Sequence, residues 1–269
     1  MHSDTKTIDQ FLAENPDVDV SESWERCWGI LTDIKNTIAS RFSGLQLEPA
    51  CRDREYYTSP NGEFEGSFQA WSGGDCESLV NSWLGNRKAS ILDMNATAYL
   101  GQDTDVPHFV MVFGTIPKLF FYFDFMPRRN LLVESGYLDK YYAPINDEYL
   151  ALRGHSNFQW SVSHGPYMRA LVNPSTQSLM ADLNNTNISI LEEYARSMLE
   201  HWLKWYDEAQ PVPHSERPAL RDTDHMLRRL CYERDPMNKL ATKMFGEQGV
   251  QEMLTLRMGE AQMRRVTTA

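Results

Sequence analysis

Long hydrophobic runs are missing from this 269-residue chain. The longest apolar run, residues 119–123, has the length of a strand, whereas a membrane helix needs about 20 apolar residues. The first 20 residues are polar and acidic and lack the apolar segment of a signal peptide. The sequence therefore predicts a soluble protein of the cytoplasm, or of the plastid stroma if a transit peptide has been removed.

Cofactor motifs are absent as well. The four cysteines are widely spaced without a CxxC pair, and the seven histidines show no HExxH or HxH spacing, which argues against a metal site. Neither GxGxxG nor GxxxxGK[ST] occurs, so a dinucleotide or P-loop site has no support. If the protein is a redox enzyme, its electrons must come from another molecule.

Positive charge is scarce and unevenly placed. The net charge is -11, yet residues 217–269 carry ten Arg and Lys against seven Asp and Glu, leaving sixteen against thirty elsewhere. An acidic chain with a basic end does not suit nucleic acid, but it suits docking of a small acidic protein. A solvated helix face explains the same charges equally well.

Aromatic and soft apolar residues are plentiful, with seven Trp, thirteen Met and 12% aromatics overall. They indicate either a large core or a pocket for a flat conjugated ligand. Asp19 and Glu22 form a possible capping box before a helix that ends near Phe42. Four strands follow, of which the last two are close enough to form an antiparallel hairpin: residues 64–71, 89–100, 107–113 and 119–125.

Helical periodicity dominates the rest of the chain. Residues 188–208 place their apolar side chains on one face. A further helix is capped by Asp222 or Thr223, and another begins at Asp235 and ends at Gly246. Strands without intervening helices indicate an antiparallel sheet, and its two apolar faces need two covers. We predict a single α/β/α sandwich over residues 19–269, preceded by a flexible arm, residues 1–18.

Two segments carry a family resemblance. Residues 230–254, LCYERDPMNKLATKMFGEQGVQEML, resemble the C-terminal segment of the ferredoxin-dependent bilin reductases, and residues 106–127 resemble their strand pair. The segment PRRNLLVESGYLDKYY is similar to red chlorophyll catabolite reductase, a cousin with the same fold. PYMRALVNPS is similar to a strand-end pattern of both families, in which Arg169 matches a recurrent Arg. The resemblance implies a bilin such as biliverdin between the sheet and the C-terminal helices, reduced ferredoxin as external donor, no bound metal or flavin, and acidic side chains as proton donors.

The resemblance also implies site residues. Asp235 matches the helix-side acid of the family, although it could equally cap a helix before Pro236. Asp93 and Asn95 match the polar pair on the sheet, and period-2 alternation puts both on one face. Asp124 matches the acid at the end of a strand, but it could instead hold the turn before Pro127.

Val112 departs from the pattern, because bilin reductases usually carry Asp or Asn there and their cousin carries Glu. His108, four residues earlier on the same face, could replace the missing acid. Arg169 and Arg228 are candidates for the propionates of a bilin, as are Arg128, Arg129 and Arg229. The basic residues expected to dock ferredoxin are Lys239, Lys243, Arg257, Arg264, Arg265, Arg128 and Arg129.

These features predict a ferredoxin-dependent oxidoreductase that reduces a linear tetrapyrrole at a CH–CH bond by single-electron steps. Asp235, Asp93 and His108 would be catalytic, and Asn95, Val112, Asp124, Arg169 and Arg228 would bind substrate. Two alternatives stay open. The same fold could act on a different conjugated substrate, which Val112 favours, or the protein could be a tetrapyrrole carrier without turnover.

Overall fold

One antiparallel sheet organises the chain. The computed structural model describes residues 18–163 and 165–259, so the predicted arm lies outside the described residues except for Val18. Neighbouring strands follow the order β1-β3-β4-β5-β6-β7-β9-β8, with β2 also pairing with β3. The strands are β1 Gln46–Leu47, β2 Tyr57–Thr58, β3 Glu65–Gly73, β4 Cys76–Asn86, β5 Ile91–Leu100, β6 His108–Ile116, β7 Lys118–Met126, β8 Gln159–Trp160 and β9 Gln177–Ala181.

Helices cover both faces of this sheet. They are α1 Ser21–Ala39, α2 Ser135–Tyr141, α3 Asn146–Arg153, α4 Pro166–Ala170, α5 Asn185–Asp207, α6 Arg217–Glu233 and α7 Asn238–Met258. The main core lies between α1, α5 and one sheet face, where Met94, Phe109 and Phe123 are fully buried. Helices α6 and α7 pack on the other face through Cys231 and Phe245. The predicted three-layer sandwich with an antiparallel sheet is confirmed.

The sequence predictions that rest on strict local periodicity are confirmed. The residues of strands β6 and β7 pair from His108–Met126 to Ile116–Lys118, which is the predicted hairpin. Every apolar residue that the sequence assigned to the inner face of α5 is buried: Ile188, Leu191, Tyr194, Ala195, Met198, Leu199, Trp202 and Trp205. Among the described residues, no helix is long and apolar enough to cross a membrane.

Several boundaries differ from the sequence predictions. Strand β4 was not predicted, and α6 begins at Arg217, so Asp222 lies inside the helix rather than at its cap. Gly246 adopts a φ of 74° and kinks α7, but the helix resumes and reaches Met258. Arg169 lies on α4 and not at the end of a strand. Pro166 explains that helix, because proline is favoured in a first turn.

Candidate active site

The sheet face beneath α6 and α7 is incompletely covered. Asp93, Val110, Val112, Phe120 and Tyr122 are half-buried, whereas their neighbours along the same strands point to the opposite face and are fully buried. Strand register explains this arrangement, because residues two apart share a face and cross-strand partners lie side by side. The three central strands thus present a partly open, mostly apolar patch to the C-terminal helices.

Asn95 lies at the centre of this patch. It is directly opposite Val112 on β6 and Ser82 on β4, so all three side chains point to the same face. Asn95 Nδ2 donates a hydrogen bond of 2.8 Å to Ser82 Oγ. Arg257, near the end of α7, donates from Nη2 to the same oxygen at 3.1 Å. The Asn95 amide and the Arg257 guanidinium are therefore held close together over the sheet.

Arg257 is a site residue that the sequence placed elsewhere. Its guanidinium carbon is 5.7 Å from the ring centroid of Phe68 and 5.6 Å from that of Tyr232. The sequence had assigned Arg257 to a docking surface, but the side chain is turned towards the sheet. A helical-spacing argument could have found it, because Arg257 follows the inward-facing Met253 by four residues.

The two acids predicted to carry the chemistry occupy the same region. Asp93 is two residues before Asn95 on the patch, and burial raises its pKa while the charge of Arg257 acts in the opposite direction. Asp235 lies in the turn before α7. Burial raises the pKa of Asp235 and the charge of Asp93 adds to this, whereas the Met237 N–H and Arg257 oppose it. The structure brings both carboxyl groups within electrostatic reach of each other and of Arg257.

The alternative role considered for Asp235, the cap of a helix that begins at Pro236, is not what the structure shows, because α7 begins at Asn238 with Met237 as its N-cap residue. Asp235 Oδ1 accepts a hydrogen bond of 2.9 Å from Met237 N–H, which fixes the turn that leads into α7. The carboxyl group acts electrostatically on Tyr122 of β7 as well as on Cys231 of α6. One side chain therefore stabilises the turn before α7 while its carboxyl group stays within electrostatic reach of the sheet.

His108 lies at the other end of the face. It is four positions from Val112 along the strand, which corresponds to about 13 Å. His108 Nδ1 accepts the Leu100 N–H at 3.0 Å, and Nε2 is 3.3 Å from Asp224 Oδ1. Burial lowers the pKa of His108, which favours its neutral form. His108 belongs to a buried cluster between β6 and α6, so it does not replace an acid at Val112.

Arg128 completes that buried cluster. Its Nη2 donates to Asp224 Oδ2 at 2.6 Å and to the Gly101 carbonyl at 2.7 Å, and its Nη1 donates to the Thr104 carbonyl at 2.6 Å. The side chain is almost completely buried. Arg128 therefore holds α6 against the loop after β5, and it is unsuited to the docking surface or propionate contact predicted for it.

Asp124 is buried on the same sheet face but is fully engaged by the protein. Burial raises its pKa from 3.8 to about 6, even though four side chains donate to it. The donors are Asn173 at 2.7 Å, Ser175 at 3.0 Å, Tyr122 at 3.1 Å and Thr176 at 3.2 Å. Asp124 thus anchors the loop before β9, rather than the turn before Pro127.

Arg169 and Arg228, two of the five arginines proposed for the propionates, are both hydrogen-bonded to other groups of the protein. Arg169 on α4 is exposed and donates to the Ser163 carbonyl at 3.0 Å. Arg228 is buried, where Nε donates to the Arg257 carbonyl at 2.7 Å and Nη2 to Ser78 Oγ at 3.0 Å. Arg228 therefore fastens the end of α7 to α6 and to β4, which indirectly positions Arg257.

Tyrosine side chains form part of the surroundings and were not predicted from the sequence. The hydroxyl groups of Tyr99 on β5 and Tyr232 on α6 are 2.9 Å apart. Burial raises the pKa of Tyr57 to about 12, and it also raises that of Tyr99 well above its ordinary value. These phenols stay protonated at neutral pH, so the acids remain the groups that can readily exchange a proton there.

Comparisons with known proteins agree with this architecture. Residues 29–256 match the family described as red chlorophyll catabolite reductase. The fold is similar to the crystal structure of phytochromobilin synthase from tomato in complex with biliverdin, with a TM-score of 0.74 and 15% sequence identity. The similarity covers 86% of this chain and 82% of the tomato chain.

No curated protein sequence matches the chain. The family match nevertheless spans most of the sequence, including the whole sheet, α6 and α7 as far as Leu256. The chain therefore belongs to the red chlorophyll catabolite reductase family.

Proposed function

We propose that the protein reduces a linear tetrapyrrole, with reduced ferredoxin delivering single electrons and Asp235 and Asp93 delivering protons. The observation that carries this proposal is the half-open patch between the sheet and α6–α7, where both acids have raised pKa values. The protein's membership of a reductase family supports the redox assignment. A similar fold that holds biliverdin in the tomato enzyme supports the ligand class.

The chemistry fits the residues present. Saturation of one carbon–carbon double bond takes up two electrons and two protons, so a donor of single electrons must act twice. An acid whose pKa is raised by burial holds its proton to a higher pH than a free carboxyl group does, and it can release that proton to the increasingly basic reduced substrate. Asp93 would approach the substrate from the sheet and Asp235 from the helical side. The apolar patch would exclude water from a flat ring system.

Val112 is a reason to consider a second candidate substrate. At this position, directly opposite Asn95, the bilin reductases usually carry Asp or Asn and red chlorophyll catabolite reductase carries Glu. Valine cannot donate a proton or accept one from a pyrrole N–H. Val112 therefore favours another conjugated substrate over biliverdin, whereas the family match favours a chlorophyll-derived linear tetrapyrrole. A carrier without turnover is the third candidate.

The proposed function is tested by anaerobic absorption spectroscopy. Biliverdin is added first, then ferredoxin with its reductase and NADPH, and red chlorophyll catabolite is treated in the same way. We expect a shifted spectrum on binding and its conversion on reduction. Conversion of red chlorophyll catabolite alone would support the second candidate, and a shift without conversion would support the carrier. A protein that neither shifts nor converts either compound contradicts the proposal.

A Val112→Asp variant refines this test. It introduces an acid opposite Asn95 and so restores the common pattern of the bilin reductases. We expect its rate with biliverdin to exceed that of the unaltered protein, because a further proton donor faces the substrate. Val112→Asn, which has nearly the same size but releases no proton, serves as the matched control.

A further inference from the structure

Three side chains that can carry charge lie at the patch, Arg257, Asp93 and Asp235, and their charges do not sum to zero when all three are ionised. Arg257 is tied to the sheet through Ser82 Oγ, which also accepts from the Asn95 amide. Asp93 projects from the same strand face as Asn95, and Asp235 approaches from the turn before α7. With both carboxyl groups ionised, the group would carry a net charge of -1 in largely apolar surroundings.

The remaining groups around the patch do not supply the missing positive charge. They are phenols, a thiol and the carboxyl group that anchors the loop before β9: Tyr57 from β2, Tyr99 from β5, Tyr122 and Asp124 from β7, and Tyr232 and Cys231 from α6. The buried Arg228 of α6 lies 4.5 Å from the Tyr99 ring, but its Nη1 is 4.0 Å from Glu77 Oε1, so a carboxylate of β4 already offsets its charge. The nearby Arg54 is paired with Glu252, at 2.6 Å between Nη2 and Oε2. Removing a net charge from water is costly, so uptake of a proton by one of the two acids is favoured.

We propose that Arg257 acts as a positioning residue that determines where protons are held in the site. Its guanidinium keeps one of the two acids ionised, so the Asp93–Asp235 pair holds a single proton at neutral pH. This inference deepens the proposed function, because it states how many protons the site holds before reduction. The second proton of each reduced double bond would then have to be taken up from solvent during the reaction. Its test needs no substrate and is independent of any turnover.

The directions of the pKa shifts of Asp93 and Asp235 agree with this arrangement. Burial raises the pKa of both acids, the charge of Asp93 raises that of Asp235, and Arg257 lowers both. Loss of the Arg257 charge should therefore leave both carboxyl groups protonated at neutral pH. An opposite charge close to a carboxyl group shifts its pKa by about 1 to 3 units, so this effect is large enough to measure.

Infrared difference spectroscopy of the ligand-free protein counts protonated carboxyl groups directly. The variants are Asp93→Asn, Asp235→Asn, Arg257→Gln and Arg257→Lys, and Arg54→Gln is a control that removes a neighbouring guanidinium. We expect one carboxylic acid band from the pair at neutral pH. Either Asp→Asn variant should lose it, because the remaining acid is then balanced by Arg257. Arg257→Gln should give about twice the band area, whereas Arg257→Lys and Arg54→Gln should match the unaltered protein.

Three results would overturn the proposal: no protonated carboxyl group from the pair, a band that survives in either Asp→Asn variant, or an unchanged band in Arg257→Gln. If Arg257→Gln does not fold, as judged by circular dichroism, the two Asp→Asn spectra decide between the outcomes. A protein that shows the shared proton but converts no tetrapyrrole would contradict the proposed function while leaving this inference intact.

Discussion

At the scale of single residues, Asp235 has to serve both structure and chemistry. Its Oδ1 accepts the Met237 N–H, and burial raises its pKa. Asp235→Asn keeps the size and the acceptor oxygen but cannot release a proton. We therefore expect biliverdin affinity to change little while turnover falls by roughly 10²- to 10⁴-fold.

This prediction is checked by spectral titration for binding and by steady-state rates for turnover. Asp222→Asn, which alters an exposed acid on α6, is the control and should behave like the unaltered protein. Full turnover in Asp235→Asn would remove Asp235 from the mechanism.

Asp124 makes the stability of the folded protein depend on pH. Its pKa is about 6 in the folded protein against an ordinary 3.8, so the folded state binds the proton more tightly. The stability that Asp124 contributes is therefore present at low pH and is lost as pH rises through about 6. Asp124→Asn removes this titration.

We expect the free energy of unfolding of Asp124→Asn, relative to that of the unaltered protein, to increase by on the order of 2 kcal/mol from pH 4 to pH 7. Urea unfolding at a series of pH values measures the difference directly. A difference that stays constant with pH would show that the carboxyl group is not destabilised by burial.

At the scale of elements, the kink in α7 determines where its second half lies. Gly246 has φ 74° and ψ 167°, a conformation that other residues adopt only under strain. The segment beyond the kink carries Arg257. Gly246→Ala should lower the free energy of unfolding by about 1 to 3 kcal/mol and weaken biliverdin binding.

Chemical denaturation and spectral titration check the two parts of this prediction. Gly29→Ala is the matched control, because Gly29 lies inside α1 with open space where a Cβ would be placed. The control should be neutral or slightly stabilising. Equal effects of the two substitutions would mean that the kink has no special role.

The first half of α7 is the element that remains suited to ferredoxin docking. Lys239 and Lys243 are exposed there, whereas Arg129 already contacts three acids and Arg257 faces the sheet. The predicted docking residues Arg264 and Arg265 lie outside the described residues. We expect Lys239→Glu with Lys243→Glu to slow reduction and to reduce its salt dependence, because acidic partners are steered by positive charge.

Stopped-flow reduction at several ionic strengths measures this effect. Lys204→Glu changes an exposed lysine on α5, in the opposite helical layer, and should leave the rate unchanged. An unaltered rate in the α7 double variant would place the docking surface elsewhere.

At the scale of the whole molecule, the sequence predicted what depends on short-range patterns. The β6–β7 hairpin and the buried face of α5 follow from strict periodicity within one element. Strand β4 was missed because it is largely buried on both faces and so shows no alternation. Central strands covered on two sides give a weak sequence signal for this physical reason.

In the candidate site, too, the sequence predicted what depends on short-range patterns and missed what depends on long-range contacts. Strand parity correctly placed Asp93 with Asn95 and His108 with Val112, but parity fixes a face and not a position along it. His108 therefore lies in a separate cluster with Asp224. Helical spacing from Met253 shows which side of α7 carries Arg257, but it does not show the contact with Ser82, which joins residues 175 positions apart.

The central claim is that a linear tetrapyrrole binds on the sheet beneath α6 and α7. A crystal structure of the biliverdin complex tests it most directly. We predict the bilin over β5–β7, in contact with Asn95 and Val112, with Asp93 and Asp235 on opposite sides of its rings. A bilin bound instead in the groove between Arg54 and Gln251 on the outer surface of α7 would contradict the account.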